Sequence, residues 1–538
     1  MVDVTMDVAQ ETAEVEPPRA VRTSVFNSTR LRTNLTSAVA LVTVFFSSFA
    51  LYASNLAFRS FWRDEGTTMV VVSHGWRSLV SRISEQEFVM GLYYVGLKVW
   101  VSALGPGPRT VRAFSAGFGA LTIVAAVAFL TRNVSRYAAA LGVVLLVSNV
   151  ALYSTAREAR TYAVTGAFAT IAALAAVEAT TDRWSPWWAA LAMSAVIYSH
   201  PLSAVAVAGQ LVGCFVLAAP GPTRRTLVRI AQRSMLLCVP LAILVLRARA
   251  NGSALDPGWW ITKPSAKALK TDLQWNIGGL SEPLTLCILA FVAVGAAALW
   301  RGIGPVARNR PILGLLLGWA FGPTVALLAV TYLAKPMFLS RYVYSSVPAF
   351  AILAAYGLAS VRKRLLSASI VGVMILLSYS ANGGAPRWQS REDWQAAYNV
   401  IPRVVNTTEP IMVQAGYDPV WYYNGLNSPK YRRRLVGPTL VTATDTRVYR
   451  ALGAIDPVKS VDALASRSFW MIGWTNPADL VNDLEPELAL RYRADFEQTY
   501  SDVRLRHFVP VPVPVPVAVK LGAQPSNDGL VSSREPNP

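Results

Sequence analysis

The chain alternates between long apolar blocks and short polar connections, and that alternation carries most of its structural information. Blocks of about 17 to 22 apolar residues can cross a bilayer as single helices. They fall near 35–56, 111–130, 136–155, 162–181, 186–200, 202–219, 234–250, 281–300, 311–332, 342–360 and 365–381. One further stretch, 88–104, is ambiguous, because it holds Lys98 and the interface-seeking Tyr93, Tyr94 and Trp100. Beyond about residue 383 the pattern becomes mixed, with strand-like runs at Pro410 to Ala415 and Ser468 to Trp474. The expected fold is an α-helical polytopic membrane protein with a small α/β domain at its C-terminal end.

Charge then orients the helices. Of 538 residues, 53% are hydrophobic and only 15% charged, whereas soluble domains carry about 25% charged residues. A net charge of +19 would suit a nucleic-acid partner, but much of the excess lies in short connections between apolar blocks, where it sets membrane orientation. No nucleic-acid partner is expected. With 88–104 as a juxtamembrane helix, one side collects Arg132 and Arg136, Arg183, the group Arg224, Arg225, Arg229 and Arg233, then Arg301, Arg308 and Arg310, and finally Arg362, Lys363 and Arg364. The positive-inside rule makes that side cytoplasmic; a spanning 88–104 would turn those loops outward. The expectation is about eleven spanning helices, a cytoplasmic N-terminus and a C-terminal domain outside the cell membrane.

Four regions follow: a cytoplasmic tail, 1–33; a membrane domain, 34–382; an extracytoplasmic α/β domain, 383–508; and a Pro-rich and disordered tail, 509–538. Residues 1–33 lack the short apolar core and cleavage site of a removable signal peptide. Alternating Val and Pro from Val509 to Val517 are expected to form a stiff polyproline II spacer. Cys214, Cys238 and Cys287 lie in apolar blocks and read as small hydrophobes.

The same topology gathers the unusual polar residues on the outer face. Asp64 and Glu65 follow the first apolar block; one of them could act as a general base, or the pair could cap a helix starting near Thr67. Arg157, Glu158 and Arg160, followed by Tyr162, could bind a phosphate through planar guanidinium forks, or could be snorkelling charges at the interface. Lys335 to Tyr342, with Arg341, could clamp a lipid phosphate or simply anchor at headgroup level. His200 is a polar site residue or a helix-end histidine. Arg391 to Trp394 opens a helix after the last block and reads first as an interfacial hinge. No His, Cys or Asp spacing suggests a structural zinc site.

In their order and sidedness these landmarks resemble the GT-C superfamily of membrane glycosyltransferases, especially the branch of protein O-mannosyltransferases and lipid A aminoarabinose transferases. The matching residues are Asp64 and Glu65, Leu92-Tyr93-Tyr94, Arg157 to Tyr162, and Pro336 through Arg341 and Tyr342, within roughly 35–360. The His-Pro-Pro element of protein mannosyltransferases is absent, Ser84 to Phe88 standing in that region.

The resemblance implies a polyprenyl-phosphate-linked sugar as donor, a cell-envelope glycan, lipid or protein as acceptor, and inversion at the anomeric carbon, with mannose the expected sugar. It implies Asp64 as general base with Glu65 as alternative, and Arg157, Arg160, Lys335 and Arg341 around the donor phosphate. Glu158, Tyr162, His200 and Tyr342 would be substrate-binding. No cofactor is expected; a divalent metal is possible but nothing indicates one. Two other classes stay open, a transporter or flippase and a non-catalytic scaffold that binds polyprenyl lipid. A transporter places its charges near the bilayer midplane, often in two related halves, and a scaffold tolerates loss of Asp64 and Glu65.

Overall fold

The computed structural model describes residues 25–57, 60–85, 88–250, 261–278, 281–302, 309–381, 392–404, 411–413, 435–436, 468–475 and 484–511. The chain divides into two compact units, Met1–Arg59 with Thr68–Gln389, and Ser60–Thr67 with Ser390–Pro538. Calls on 1–24 and 512–538, including most of the Val-Pro run, lie outside the described residues.

The first unit is helical. Its chain runs through α1 (Val25–Ala53), α2 (Arg63–Ser73), which begins in the second unit, α3 (Trp76–Glu85), α4 (Gly91–Leu104), α5 (Pro108–Asn133) and α6 (Arg136–Val147). There follow α7 (Val150–Thr155), α8 (Tyr162–Thr180), α9 (Pro186–Ser199), α10 (Ala204–Leu217), α11 (Pro222–Ala250) and α12 (Ala266–Ile277). The last five are α13 (Glu282–Trp300), α14 (Asn309–Leu333), α15 (Ser340–Val343), α16 (Val347–Ala359) and α17 (Arg364–Ala381). Every predicted apolar block is helical. Six described stretches are long and apolar enough to cross a bilayer, and shorter apolar helices occupy Ser37–Ala53, Arg136–Val147, Pro201–Leu217 and Arg364–Ser378. Helix is the necessary choice there, since it satisfies each backbone N–H and C=O within one segment.

The structure departs from the sequence pattern in three instructive places. The block 136–155 is broken into α6 and α7, because Asn149 turns the chain and caps α7 by accepting the Leu152 amide at 2.9 Å. The Arg224 to Arg233 group is helical rather than a loop: α11 starts with Pro222 at its first position. There Arg224 lies over Phe215 at 4.8 Å and Arg233 over Trp187 at 4.5 Å, each stem covering apolar surface. The stretch 88–104 forms α4 after a sharp bend, 107° between Trp76–Ser84 and Phe88–Leu104. Its lysine has a local purpose. Lys98 Nζ donates to the carbonyls of Val72 at 2.8 Å and His74 at 2.7 Å, closing the C-terminal end of α2.

Small residues let the apolar helices meet. Gly209 and Gly213 of α10 face Gly318 and Gly314 of α14 so closely that a Cβ at any of them would overlap the partner's carbonyl oxygen. The pairing 209 with 318 and 213 with 314 makes the two helices antiparallel. Gly295 of α13 and Gly357 of α16 make a second contact of this kind. At one end of α8, the buried carboxylate of Glu178 lies 3.4 Å from Arg132 and 3.6 Å from Arg183.

The second unit is built on a five-stranded mixed sheet, in the order β2-β1-β3-β5-β4. Its strands are β1 (Ile411–Val413), β2 (Leu435–Val436), β3 (Phe469–Trp474), β4 (Tyr492–Tyr500) and β5 (Val503–Pro510). β1 runs parallel to β2 and β3, and β5 is antiparallel to both β3 and β4. Phe469 and Phe508 stack at 5.1 Å across β3 and β5. Helix α18 (Trp394–Val404) supplies the buried Trp394, Ala397 and Tyr398, and a short helix, Leu484–Arg491, precedes β4. The first residues of the expected Val-Pro rod, Val509 and Pro510, instead pair with Arg493 and Tyr492, since a ladder supplies hydrogen bonds that polyproline II lacks.

Substituting Gly318→Val should separate α10 from α14. The expected outcome is loss of the monodisperse species on size exclusion in detergent or a strongly lowered Tm. Gly117→Ala, where nothing lies within 4 Å of the added Cβ, should leave both unchanged.

Candidate functional site

The acidic pair does not precede a helix near Thr67; it lies inside the first turn of α2, which starts at Arg63. Glu65 is fully buried and its Oε2 accepts the Trp62 amide at 3.4 Å. That is the reach-back of a third-position glutamate to the capping residue's N–H. Asp64, beside it, is half-buried. A third carboxylate joins them within the second unit: Glu392 Oε2 accepts the Arg63 amide at 2.8 Å and the Trp394 indole N–H at 2.6 Å. Burial pushes the Glu392 carboxyl above its usual range and the charge of Asp64 adds to this, while the hydrogen bonds from Trp394 and Arg63 oppose it. Negative groups suit this place, because a helix N-terminus presents unpaired N–H groups and a partial positive charge.

A second group forms within the helical unit, where three interhelical links converge. The α7–α8 link brings Arg160, nearly buried, and the buried Tyr162; the α9–α10 break brings His200; the segment after α14 brings Arg341 and Tyr342. The His200 ring lies 5.0 Å from that of Tyr342 and 6.1 Å from that of Tyr162. Thr161 Oγ1 donates to the Ser199 carbonyl at 2.8 Å, joining two of the links. Arg160 offers its carbonyl to Ser115 Oγ at 3.4 Å and extends Nη1 towards Thr68 Oγ1 at 3.5 Å. Thr331 Oγ1 accepts the amides of Met337 and Phe338, at 3.1 and 2.9 Å, and so shapes the turn that leads to Arg341. His200 Nδ1 is buried and meets no hydrogen-bond partner among the described residues. Burial, and then the charges of Arg160 and Arg341, lower the imidazole pKa to about 3. At neutral pH this histidine is uncharged.

Other predicted residues have contacts of their own. Arg157 Nη1 donates to the Tyr52 carbonyl at 3.4 Å and to Ser54 Oγ at 3.2 Å, at the end of α1, with its guanidinium 4.8 Å over the Tyr153 ring. Glu158 and Lys335 are half-buried in their links. Tyr93 packs against Phe114 at 5.9 Å. Among the described residues, no group of three or more His, Cys, Asp or Glu side chains gathers as metal ligands would.

One charged residue was missed by reading blocks and motifs. Arg112 is fully buried and donates to the Leu56 carbonyl at 2.7 Å; its signal was a lone arginine two residues into an apolar block. Glu392 was singled out only within the Arg391 to Trp394 stretch, which read as a hinge.

The fold of this chain, helical unit and small C-terminal sheet, is similar to that of solved structures of ArnT. ArnT from Cupriavidus metallidurans in the apo state is similar over 89% of this chain and 98% of its own, with a TM-score of 0.56 and 13% identity. ArnT from the same organism bound to undecaprenyl phosphate matches over 88% of this chain and 97% of its own, with a TM-score of 0.56 and 14% identity. No protein-family model and no curated protein matches the chain. The likeness is therefore one of fold, and the chain is a multi-pass membrane protein of that architecture.

The neutral His200 has a measurable consequence. Between its unfolded value near 6.5 and its folded value of about 3, the unfolded chain binds the extra proton, so stability is lost as pH falls through that window. The slope from this one residue approaches ~1.4 kcal/mol per pH unit. Thermal unfolding in detergent from pH 7 to 4.5 should show a smaller loss for His200→Gln than for the native protein.

Proposed function

We propose that the chain is a membrane glycosyltransferase that moves mannose or a related sugar from a polyprenyl-phosphate donor to a cell-envelope glycan, lipid or protein. The observation that carries this reading is the meeting of the links that hold Arg160, His200 and Arg341, where the His200 ring lies 5.0 Å from that of Tyr342 and Thr161 binds the Ser199 carbonyl. Two fixed guanidinium groups match the oxygens of a phosphate. The loop charges support a reading in which this chemistry and the C-terminal domain are extracytoplasmic and the N-terminus is cytoplasmic.

In this reaction the acceptor hydroxyl oxygen attacks the anomeric carbon as the bond from that carbon to the phosphate oxygen breaks, with inversion. The hydroxyl proton passes to Asp64, and the electron pair of the broken bond stays on the polyprenyl phosphate. Asp64 suits the base role better than Glu65, which is buried and engaged as a helix cap. Arg160 and Arg341 stabilise the leaving phosphate in a setting where little water competes, and Lys335 and Arg157 add positive charge around the donor. His200 offers a neutral polar edge to the substrate between the rings of Tyr162 and Tyr342, and Glu158 is a further acceptor contact. No step is assigned to a nucleotide or a metal.

Purified full-length protein should transfer label from at least one of polyprenyl-phosphate mannose, glucose or pentose to an envelope extract. Asp64→Asn should lower the rate by about 10²-fold or more, and Arg160→Ala or Arg341→Ala by about 10²-fold. Full activity in Asp64→Asn would remove that residue from the base role, and no transfer from any of the donors would overturn the reading.

A further inference from the structure

Two helix starts far apart in sequence cap one another. Glu392, which precedes α18, accepts the Arg63 amide in the first turn of α2 at 2.8 Å. Ser60, which precedes α2, accepts with its hydroxyl the Gln395 amide in the first turn of α18 at 3.1 Å. The partners are 329 and 335 residues apart in the chain. Each segment thus satisfies an N–H group that the other helix cannot satisfy internally.

Glu392 is itself held from several sides. Its carboxylate also accepts from the indole of the fully buried Trp394 at 2.6 Å. Its backbone bridges to Ser501, the left-handed residue (φ 52°) in the turn between β4 and β5. Asp393 caps α18 from within, accepting the Ala396 amide at 3.0 Å. The residues around Asp64 are therefore referenced to the C-terminal sheet through one carboxylate.

We propose that Glu392 is a positioning residue through which the C-terminal domain sets the orientation of Asp64 at the start of α2. The inference rests on the reading of Asp64 as general base, and it gives the C-terminal domain a role in the reaction without requiring that domain to touch substrate. Asp64 follows directly on Arg63, the residue whose amide Glu392 holds. Without that acceptor the first turn of α2 loses one of its fixed points, and a carboxylate displaced by about 1 Å loses about 10²-fold in rate.

The test uses full-length protein carrying Glu392→Ala, Glu392→Gln or Ser60→Ala. Gln keeps an acceptor oxygen for the Arg63 amide, so it is the conservative rescue. Glu392→Ala should lower kcat by about 10²-fold with donor KM within about twofold, Glu392→Gln should keep kcat within about threefold, and Ser60→Ala should fall between them. Hydrogen exchange should quicken over 60–67 in Glu392→Ala and stay unchanged over 108–133. A Glu392→Ala protein with native kcat, or with unchanged exchange over 60–67, would overturn the proposal. A Gln variant as impaired as Ala would do the same. Quickened exchange in a protein whose native form transfers no sugar would instead sink the function and the positioning role together, leaving the reciprocal capping intact.

Discussion

The helical unit depends on backbone touching backbone. Lipid tails are as apolar as leucine, so apolar helices gain little from leaving lipid for one another; what holds them is close packing. Gly209 and Gly213 of α10 against Gly318 and Gly314 of α14 supply it, at a distance that no side chain would permit. Because these helices are antiparallel, the start of α10 lies beside the end of α14. His200 precedes the first and Arg341 and Tyr342 follow the second, which is how the His200 and Tyr342 rings come to lie 5.0 Å apart. The glycine contact is thus upstream of the electrostatics, fixing links that bury His200 and so keep it neutral, with the charges of Arg160 and Arg341 adding to that effect.

A second rule runs through the unit: isolated charges close helix ends. Lys98 binds carbonyls at the end of α2, Arg157 the end of α1, Arg112 the carbonyl of Leu56 just after α1, and Arg224 the Ala218 carbonyl just after α10. Each such interaction contributes on the order of 0.3–1 kcal/mol. At the opposite pole of α2, Glu65 and Glu392 serve its N–H groups. A charge near an apolar border is therefore weak evidence of catalysis by itself. What sets Arg160 and Arg341 apart is that both add their charge to the effect of burial on one imidazole.

The low identity to ArnT, 13% and 14%, fits this physics. A helix in lipid needs apolar residues of almost any shape on its outer face and small ones only where partners cross, so the architecture persists under wide substitution.

The apolar blocks, set by the need to satisfy backbone groups in hydrocarbon, located the long helices of the membrane region but not α2, α3 or α12, and the shift to mixed periodicity marked the C-terminal sheet. The pairs Gly209 and Gly213, and Gly314 and Gly318, were legible too, as small residues four apart, though block counting passes over them. Local motifs also singled out Asp64, Arg160 and Arg341. Only the tertiary structure set Arg157 against the carbonyl at the end of α1, buried His200, turned Glu65 into a cap and joined Glu392 to α2. Hydrophobicity and helix period are properties of neighbouring residues and can be read along the chain. A carboxylate's partner 329 residues away, or the field of two arginines on one imidazole, exists only once the folded backbone has brought those groups together.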